Sequence, residues 1–313
     1  MVLTITVNPS IDKTYILDKF TLNTVNYSYQ VILNAGSKGI NVSRVARLLG
    51  LDTLALGFYG GMVGEILLTK LNEENIGYDL IKAEDFNTRI NVKIVDMSTK
   101  SFTDINERGT HVSDYDYKRF IDKYREKLPQ SKIVVISGSL LPGMASTTYY
   151  ELIKIAHEYE KPVFLDCGGN VLKESLAASP YLIKPNTKEF EDMLGKSGLS
   201  IEEIAFEGRR IIEKYGIKYV IVTMGQKGAV GVSENEGYLV VPPVVEVFST
   251  VGAGDAFLSG VCYGYLQGVG FSKQLVIGSS CASAKVTKMG NEVPSLVELF
   301  GYVDGCQVIP LEI

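Results

Sequence analysis

Short apolar runs alternate with amphipathic stretches along most of the chain. Leu3 to Val7, Leu54 to Gly57, Ile133 to Ile136, Val163 to Asp166, Tyr181 to Lys184 and Tyr219 to Thr223 are such runs. Continuous apolar runs of this length predict strands of a parallel sheet covered on both faces. Between them, apolar residues recur three or four apart. That spacing predicts helices over Ile40–Leu49, Val63–Asn72, Lys118–Lys127, Thr147–Tyr159, Val171–Ala177 and Ile201–Tyr215. Regular alternation of strand and helix predicts an α/β fold with a mostly parallel central sheet.

One stretch departs from this rhythm. From Lys13 to Leu33 the apolar residues Tyr15, Leu17, Phe20, Leu22, Val25, Tyr27, Tyr29 and Val31 recur at near period two. A similar alternation returns over Arg89–Val95 and Phe102–Ile105. The pattern predicts antiparallel strands with one solvated face, gathered in a small sheet apart from the main core. A lid or a dimer surface is the natural use for it.

A second departure lies at Phe248 to Phe257. An apolar run, Tyr238 to Val247, leads to it through Pro242 and Pro243, and an apolar helix pattern rich in small residues follows over Ala256–Leu266. Gly252, Ala253 and Gly254 therefore sit at a helix N-terminus, where backbone N–H groups lack helical partners and the dipole is positive. Small side chains let an anion approach that backbone. Asp255 follows at once. The dipole alone favours an acid in a first turn, but a carboxylate beside an anion hole can also take a proton. The dinucleotide fingerprint fails here, because Phe257 stands in place of its third glycine. Gly36-Ser37-Lys38-Gly39 in turn lacks the Gly-Lys-Ser/Thr ending of a Walker A loop.

In an open α/β sheet, ligands bind beyond the carboxyl ends of the strands. The residues that follow the expected strands are Asn8 to Asp12, Ser137 to Ser139, Asp166, Lys184 to Asn186, and Thr223 to Gly228. They converge on one rim. Asp12 reads either as a ligand residue or as part of a turn. Lys38, between glycines at a helix start, reads as an anion contact. Asn186 with Glu189 reads as a capping box or as a pair that organises waters around Mg2+. Thr223 to Gly228 offers backbone donors for nucleotide phosphates, or an ordinary tight turn.

Composition narrows the classes. A net charge of −5 with no long basic run argues against nucleic acid as a partner. The N-terminus predicts no signal peptide, and no apolar run approaches a membrane span of roughly 18 residues. The four cysteines form no C-x-x-C pair, which fits free thiols in a cytoplasmic protein. With only His111 and His157, a zinc protease motif is absent and a Ser-His-Asp triad has little material.

Six pieces, taken in order, resemble the PfkB (ribokinase-like) carbohydrate kinases across essentially the whole chain. They are Asn8-Pro9-Ser10-Ile11-Asp12, Gly36 to Val42, Thr88 to Val92, Ser137 to Leu140, Lys184-Pro185-Asn186 with Glu189, and Thr250 to Asp255. Within that family the chain is most similar to the branch that phosphorylates sugar phosphates, the 1-phosphofructokinases and tagatose-6-phosphate kinases. The resemblance implies a single unit over residues 1–313 with a ribokinase-like three-layer α/β sandwich. It implies a small β-sheet lid formed by about 13–35 and 88–106, and a homodimer through that lid. It implies ATP and Mg2+ as cofactors and a ketohexose phosphate as acceptor, fructose 1-phosphate ahead of tagatose 6-phosphate. Asp255 would be the base, and Gly252, Ala253 and Gly254 the anion hole. Asp12, Gly36, Lys38, Gly39, Asn41 and Ser137 would hold the acceptor, with Arg89 on its phosphate. Lys184, Asn186, Thr223, Gly225, Gly228, Thr250 and Val251 would lie along ATP, with Asn186 and Glu189 on Mg2+ through water. The chain departs from the family pattern at Ser37, where a glycine is usual, and at Tyr27, where tagatose-6-phosphate kinases tend to carry arginine. A rival reading, a non-catalytic sugar-phosphate sensor, would keep Lys38 and Arg89 but need no base.

Overall fold

The structure, a computed structural model, describes residues 1–288 and 292–312. The chain opens with β1 (Val2–Thr6), leaves for β2 (Ser10–Leu17) and β3 (Gln30–Gly36), and returns through α1 (Lys38–Leu48) to β4 (Thr53–Tyr59). It continues with α2 (Gly61–Glu73), the short β5 (Ile81–Lys82), β6 (Arg89–Asp96) and β7 (Ser101–Asn106). A run of alternating elements follows: α3 (Asp114–Lys127), β8 (Ile133–Ser137), α4 (Thr148–Glu158), β9 (Val163–Asp166), α5 (Gly169–Ser175), β10 (Leu182–Ile183), α6 (Thr187–Leu194), α7 (Ile201–Tyr215) and β11 (Tyr219–Thr223). The chain ends with β12 (Ala229–Val232), β13 (Gly237–Val241), α8 (Ala253–Leu266), α9 (Phe271–Val286), α10 (Leu296–Phe300) and β14 (Gln307–Pro310).

Ten strands form the large sheet in the order β14-β13-β12-β11-β10-β9-β8-β1-β4-β5. Pairing is parallel from β11 to β5 and antiparallel from β11 to β14. The apolar runs are explained by burial on both faces. Leu3, Ile5, Val134 and Ile136 join the core under α3 to α7, whereas Val2, Ile133 and Val135 join the core under α1, α8 and α9. Side chains alternate across a strand, so both sets must be apolar. The helices thus form two layers around one sheet. α8 and α9 pack closely, and a Cβ at Gly260 would lie 2.8 Å from the Cα of Gly278. That contact accounts for the small residues in the α8 pattern. Among the described residues, no helix is long and apolar enough to cross a membrane.

The small sheet has the order β3-β2-β6-β7. Its outer pairs are antiparallel as expected, but the central pair β2–β6 is parallel. A parallel pair needs a long crossover, here supplied by α1, β4 and α2. Residues 18–29 form no strand, although their apolar positions alternate. Leu22, Val25, Tyr27 and Tyr29 are exposed there. The faces are also arranged differently from the expectation. Ser10, Asp12, Asn91 and Lys93 are buried polar residues of one face, while Val31, Leu33 and Ile105 on the other face are exposed. Asn8 ties the two sheets together, its Nδ2 lying 2.9 Å from Arg108 O, 3.2 Å from Ser139 Oγ and 3.3 Å from Leu140 O.

Candidate active site

A cleft of about 1160 Å³ opens between the rim of the large sheet and the polar face of the small one. Its lining includes residues that follow β8 to β11, the start of α8, and Asp12, Arg89, Asn91, Lys93, Asp104 and Asn106 from the small sheet. Asp12 is neither a rim residue nor a turn residue. The turn is confined to Val7–Pro9, and Asp12 lies within β2.

The floor is the start of α8. Gly252 is its N-cap with φ +75°, a left-handed conformation that glycine adopts at little cost. The N–H of Ala253 donates to Thr250 O at 3.3 Å, and the N–H of Ala256 closes the first helical bond onto Gly252 O at 2.9 Å. The N–H groups of Gly254 and Asp255 thus lie at a helix start without helical acceptors, as an anion site requires. The Nζ of Lys184 comes within 3.5 Å of where a Cβ on Gly254 would stand.

Asp255 is 6% exposed and points its Oδ2 at Asn41 Nδ2, 2.7 Å away. Asn41 is itself fixed, because its Oδ1 accepts from Arg44, and Arg44 also holds Glu74 and Ala35 O. Sequence reading missed Arg44, which carries this orientation from beneath. Burial pushes the Asp255 carboxyl above the ordinary range, and the charge of Asp166 adds to the rise. Lys38, the Asn41 amide and Lys184 oppose it.

Asp166 ends β9 and is buried between two lysines, with Lys38 Nζ and Lys184 Nζ each at 2.9 Å. Burial alone would raise its pKa, yet Lys184 and Lys38 hold it below the usual carboxylate value. Lys38 also reaches to 3.7 Å from Glu189. Burial works against its charge, but Asp166, Glu189 and Asp255 raise its pKa all the same. Lys38 therefore sits beside the start of α8, not on the small sheet.

Asn186 and Glu189 form the capping box of α6, with both reciprocal bonds at 2.9 Å. Both also line the cleft, as do Thr223, Gly225, Gly228, Thr250 and Val251. Gly36, Gly39 and Ser137 stand behind the lining. A Cβ on Gly39 would meet Ser137 Oγ at 3.3 Å, and one on Gly36 would meet Asp12 Oδ1 at 2.3 Å. Ser37 lines the cleft in their place, with φ +106° and its hydroxyl bonded to that of Thr6.

On the small sheet Asp12 Oδ1 is held by Ser10 Oγ at 3.0 Å and Asn91 Nδ2 at 3.1 Å, and Asp12 Oδ2 lies 2.8 Å from Lys93 Nζ. Arg89 donates to Glu107 O at 2.7 Å and Asn8 O at 3.2 Å, and burial lowers its pKa against the pull of Asp12 and Glu107. Asn91 and Lys93 were missed in the sequence, yet a signal existed. Residues 89, 91 and 93 share one face of a period-two strand.

The arrangement can place a hydroxyl beside a buried base and receive a phosphoryl group at a helix start flanked by two lysines. Comparison with known proteins agrees with it. A family model described as "pfkB family carbohydrate kinase" matches residues 5–297. The chain is 33% identical over 296 residues to the 1-phosphofructokinase of Bacillus subtilis (strain 168), covering 93% of this chain and 95% of the relative. It is 30% identical over 289 residues to the 1-phosphofructokinase of Borreliella burgdorferi, covering 92% of each. Phosphofructokinase-2 from Escherichia coli, solved with substrates and products, superposes with a TM-score of 0.90 at 25% identity, over 97% of this chain and 98% of that one.

Proposed function

This chain belongs to the pfkB family of carbohydrate kinases, and from that premise we propose that it transfers the γ-phosphoryl group of ATP to a ketohexose phosphate. Fructose 1-phosphate is the acceptor we assign, with fructose 1,6-bisphosphate as product. The observation that carries this reading is Asp255, a buried carboxylate at the start of α8, held by Asn41 in the cleft that also holds the Lys38–Asp166–Lys184 cluster and the polar face of the small sheet. A sensor would need no such base. The two curated relatives favour the same acceptor, since both are 1-phosphofructokinases.

In the proposed reaction the acceptor hydroxyl lies against Asp255. Its O–H bond breaks and the proton passes to the carboxylate as the oxygen attacks the γ-phosphorus. The bond from that phosphorus to the β,γ-bridging oxygen breaks, and ADP leaves. Charge on the transferring group falls on the N–H groups of Gly254 and Asp255 and on Lys184 and Lys38. Arg89 takes the acceptor's own phosphate, and Lys93 with Asn91 fixes Asp12 on a sugar hydroxyl. Thr223 to Gly228, Thr250 and Val251 run along the nucleotide, with Val244 and Val247 as an apolar lip for its base.

Among the described residues, no group of three or more His, Cys, Asp or Glu gathers around one point. The chain therefore suits an ion held chiefly by the nucleotide's phosphates and water, as Mg2+ is in kinases. Glu189 and Asp166, with Asn186 alongside, would hold its waters, and the ion would neutralise phosphate charge. The small sheet would serve as a lid inserted in a single kinase unit spanning residues 1–313. Its apolar outer face, with Val31, Leu33 and Ile105 exposed, supports a homodimer through that face. One relative, phosphofructokinase-2 from Escherichia coli, is described in a tetrameric inhibited form. Four free cysteines fit a cytoplasmic setting.

The test is ADP release with Mg-ATP and four separate acceptors: fructose 1-phosphate, tagatose 6-phosphate, fructose 6-phosphate and fructose. The expected result is a clear preference for fructose 1-phosphate. Preference for tagatose 6-phosphate would move the substrate and keep the mechanism. Turnover of free fructose alone would remove Arg89 from its role, and no turnover despite ATP binding would bring back the sensor.

A further inference from the structure

One face of α9 borders the cleft and has no part in the roles above. Ser279, Ala282, Ser283 and Val286 belong to the lining, three or four residues apart and so on one stripe of the helix. Ser279 is 3% exposed and Ser283 4%. A hydroxyl buried on a helix commonly bonds back to the carbonyl one turn earlier. Ser259 Oγ does so to Asp255 O at 2.8 Å, and Ser175 Oγ to Val171 O at 2.7 Å. Among the described residues, the hydroxyls of Ser279 and Ser283 have neither that bond nor any other hydrogen-bond partner. A buried hydroxyl left unpaired costs free energy that an alanine would not. Both serines are therefore built for a polar group that enters the cleft.

The loop that shares this end of the lining is apolar, with Pro242, Pro243, Val244, Val247 and Val251. It is anchored to α9, because Val286 O accepts from Phe248 N at 2.8 Å and from Ser249 N at 3.2 Å. Neither the loop nor the α9 stripe brings a charged side chain to the lining, and the two prolines have no N–H to offer. A ligand at this end thus meets apolar surface and two hydroxyls one helical turn apart, about 6 Å. Such a place suits a flat heteroaromatic ring. A sugar or a phosphate would leave many polar atoms unpaired there. The loop runs on into Gly252, so a ring seated here and a phosphate at the start of α8 can belong to one nucleotide.

We propose that Ser279 and Ser283 read the base of the phosphoryl donor, and that the site takes purine nucleoside triphosphates with either an amino or an oxo group at position 6. A hydroxyl both donates and accepts, and its hydrogen turns to suit the partner. One serine accepts from the amine of adenine or donates to the carbonyl of guanine or hypoxanthine. The other meets a neighbouring ring nitrogen. An edge with donors and acceptors in fixed places would reject one of these bases, and a hydroxyl edge does not. The inference deepens the kinase reading above and rests on it.

The test is a donor panel on the full chain. ATP, GTP, ITP, CTP and UTP are supplied as Mg2+ complexes to the wild type and to the double variant Ser279→Ala, Ser283→Ala. In the wild type GTP and ITP are expected within about tenfold of ATP in kcat/KM, and CTP and UTP, one ring smaller, more than about tenfold below it. The double variant should raise the KM of each purine nucleotide by about 10-fold, as two hydrogen bonds are lost. Its kcat and acceptor KM should move by less than about threefold. Its melting temperature without nucleotide should be unchanged or higher, because two unpaired buried hydroxyls are gone. ATP preferred to both GTP and ITP by more than about tenfold would overturn the proposal. So would pyrimidine nucleotides used as well as ATP, or an unaltered nucleotide KM in the double variant. Should that variant fail to fold, the wild-type panel decides alone. Calorimetry with the same Mg2+ nucleotides keeps this inference apart from the kinase reading. A wild type that binds ATP and GTP alike but phosphorylates no ketohexose phosphate sinks the kinase reading and leaves the purine site standing, whereas an active kinase confined to ATP sinks this inference alone.

Discussion

The two sheets keep their polar chemistry in different places. In the large sheet the polar residues that line the cleft stand at or past the strand ends: Asp166 closes β9, Lys184 follows β10 and Thr223 closes β11. In the small sheet they are strand residues proper: Asp12 on β2, and Arg89, Asn91 and Lys93 on β6. The reason is burial. A strand covered on both faces has no room for a charge except beyond its end. A strand with one face on a cleft presents every second side chain to it. One cleft therefore joins a loop-built half, where we place the chemistry, to a strand-built half, where we place the grip on the acceptor.

That division can be broken by kinetics. The largest effect belongs to Asp255→Asn, which should lower kcat by about a thousandfold and leave ATP affinity by calorimetry nearly intact. A variant within tenfold of the wild type would end the base assignment. The same group sets the acid side of the pH profile. Its carboxyl is raised, so protonation as pH falls removes the base earlier than for an ordinary aspartate, and kcat/KM should decline there. Arg89→Ala comes next, with an acceptor KM raised by about 10- to 100-fold and an ATP KM within about threefold. Equal changes in both would erase the line between the halves. Lys184→Met should cost about 3 kcal/mol in urea unfolding, because Asp166 would stay buried with one lysine instead of two. Stability equal to the wild type would show the pair to be unimportant to folding. The smallest effect is Ser37→Gly, expected to gain about 1 kcal/mol by relieving a left-handed backbone, offset in part by the lost bond to Thr6.

The same contrast explains what could be read in the sequence. Apolar runs and the convergence of residues after them gave the large sheet and its rim, because both follow from burial alone. The helix start at Gly252 was legible because its glycine, small residues and acid are adjacent in the chain. Asn91 and Lys93 carry no such signal, because they stand within β6 and not beyond a strand end. The parallel pairing of β2 with β6 could not be read locally, since it depends on a crossover of more than 70 residues between Leu17 and Arg89. Arg44 leaves no local mark either, being a cation on a helix with an ordinary amphipathic pattern. Only the packing of α1 against α8 brings it to the site. The apolar alternation over residues 18–29 misled in the other direction, because its side chains cover no core.

The lysine–aspartate–lysine cluster at the rim has a consequence for what can enter. Around the start of α8, Lys38 and Lys184 face Asp166, Asp255 and Glu189. Two positive side chains against three negative ones make this a poor reservoir for a bare polyanion. A nucleotide stripped of its counterions would meet repulsion as it approached, and would be a feeble competitor even at high concentration. On the reading proposed above, the triphosphate would have to bring compensating charge along with it, so we expect the metal complex, not the free nucleotide, to be the species this half of the cleft takes.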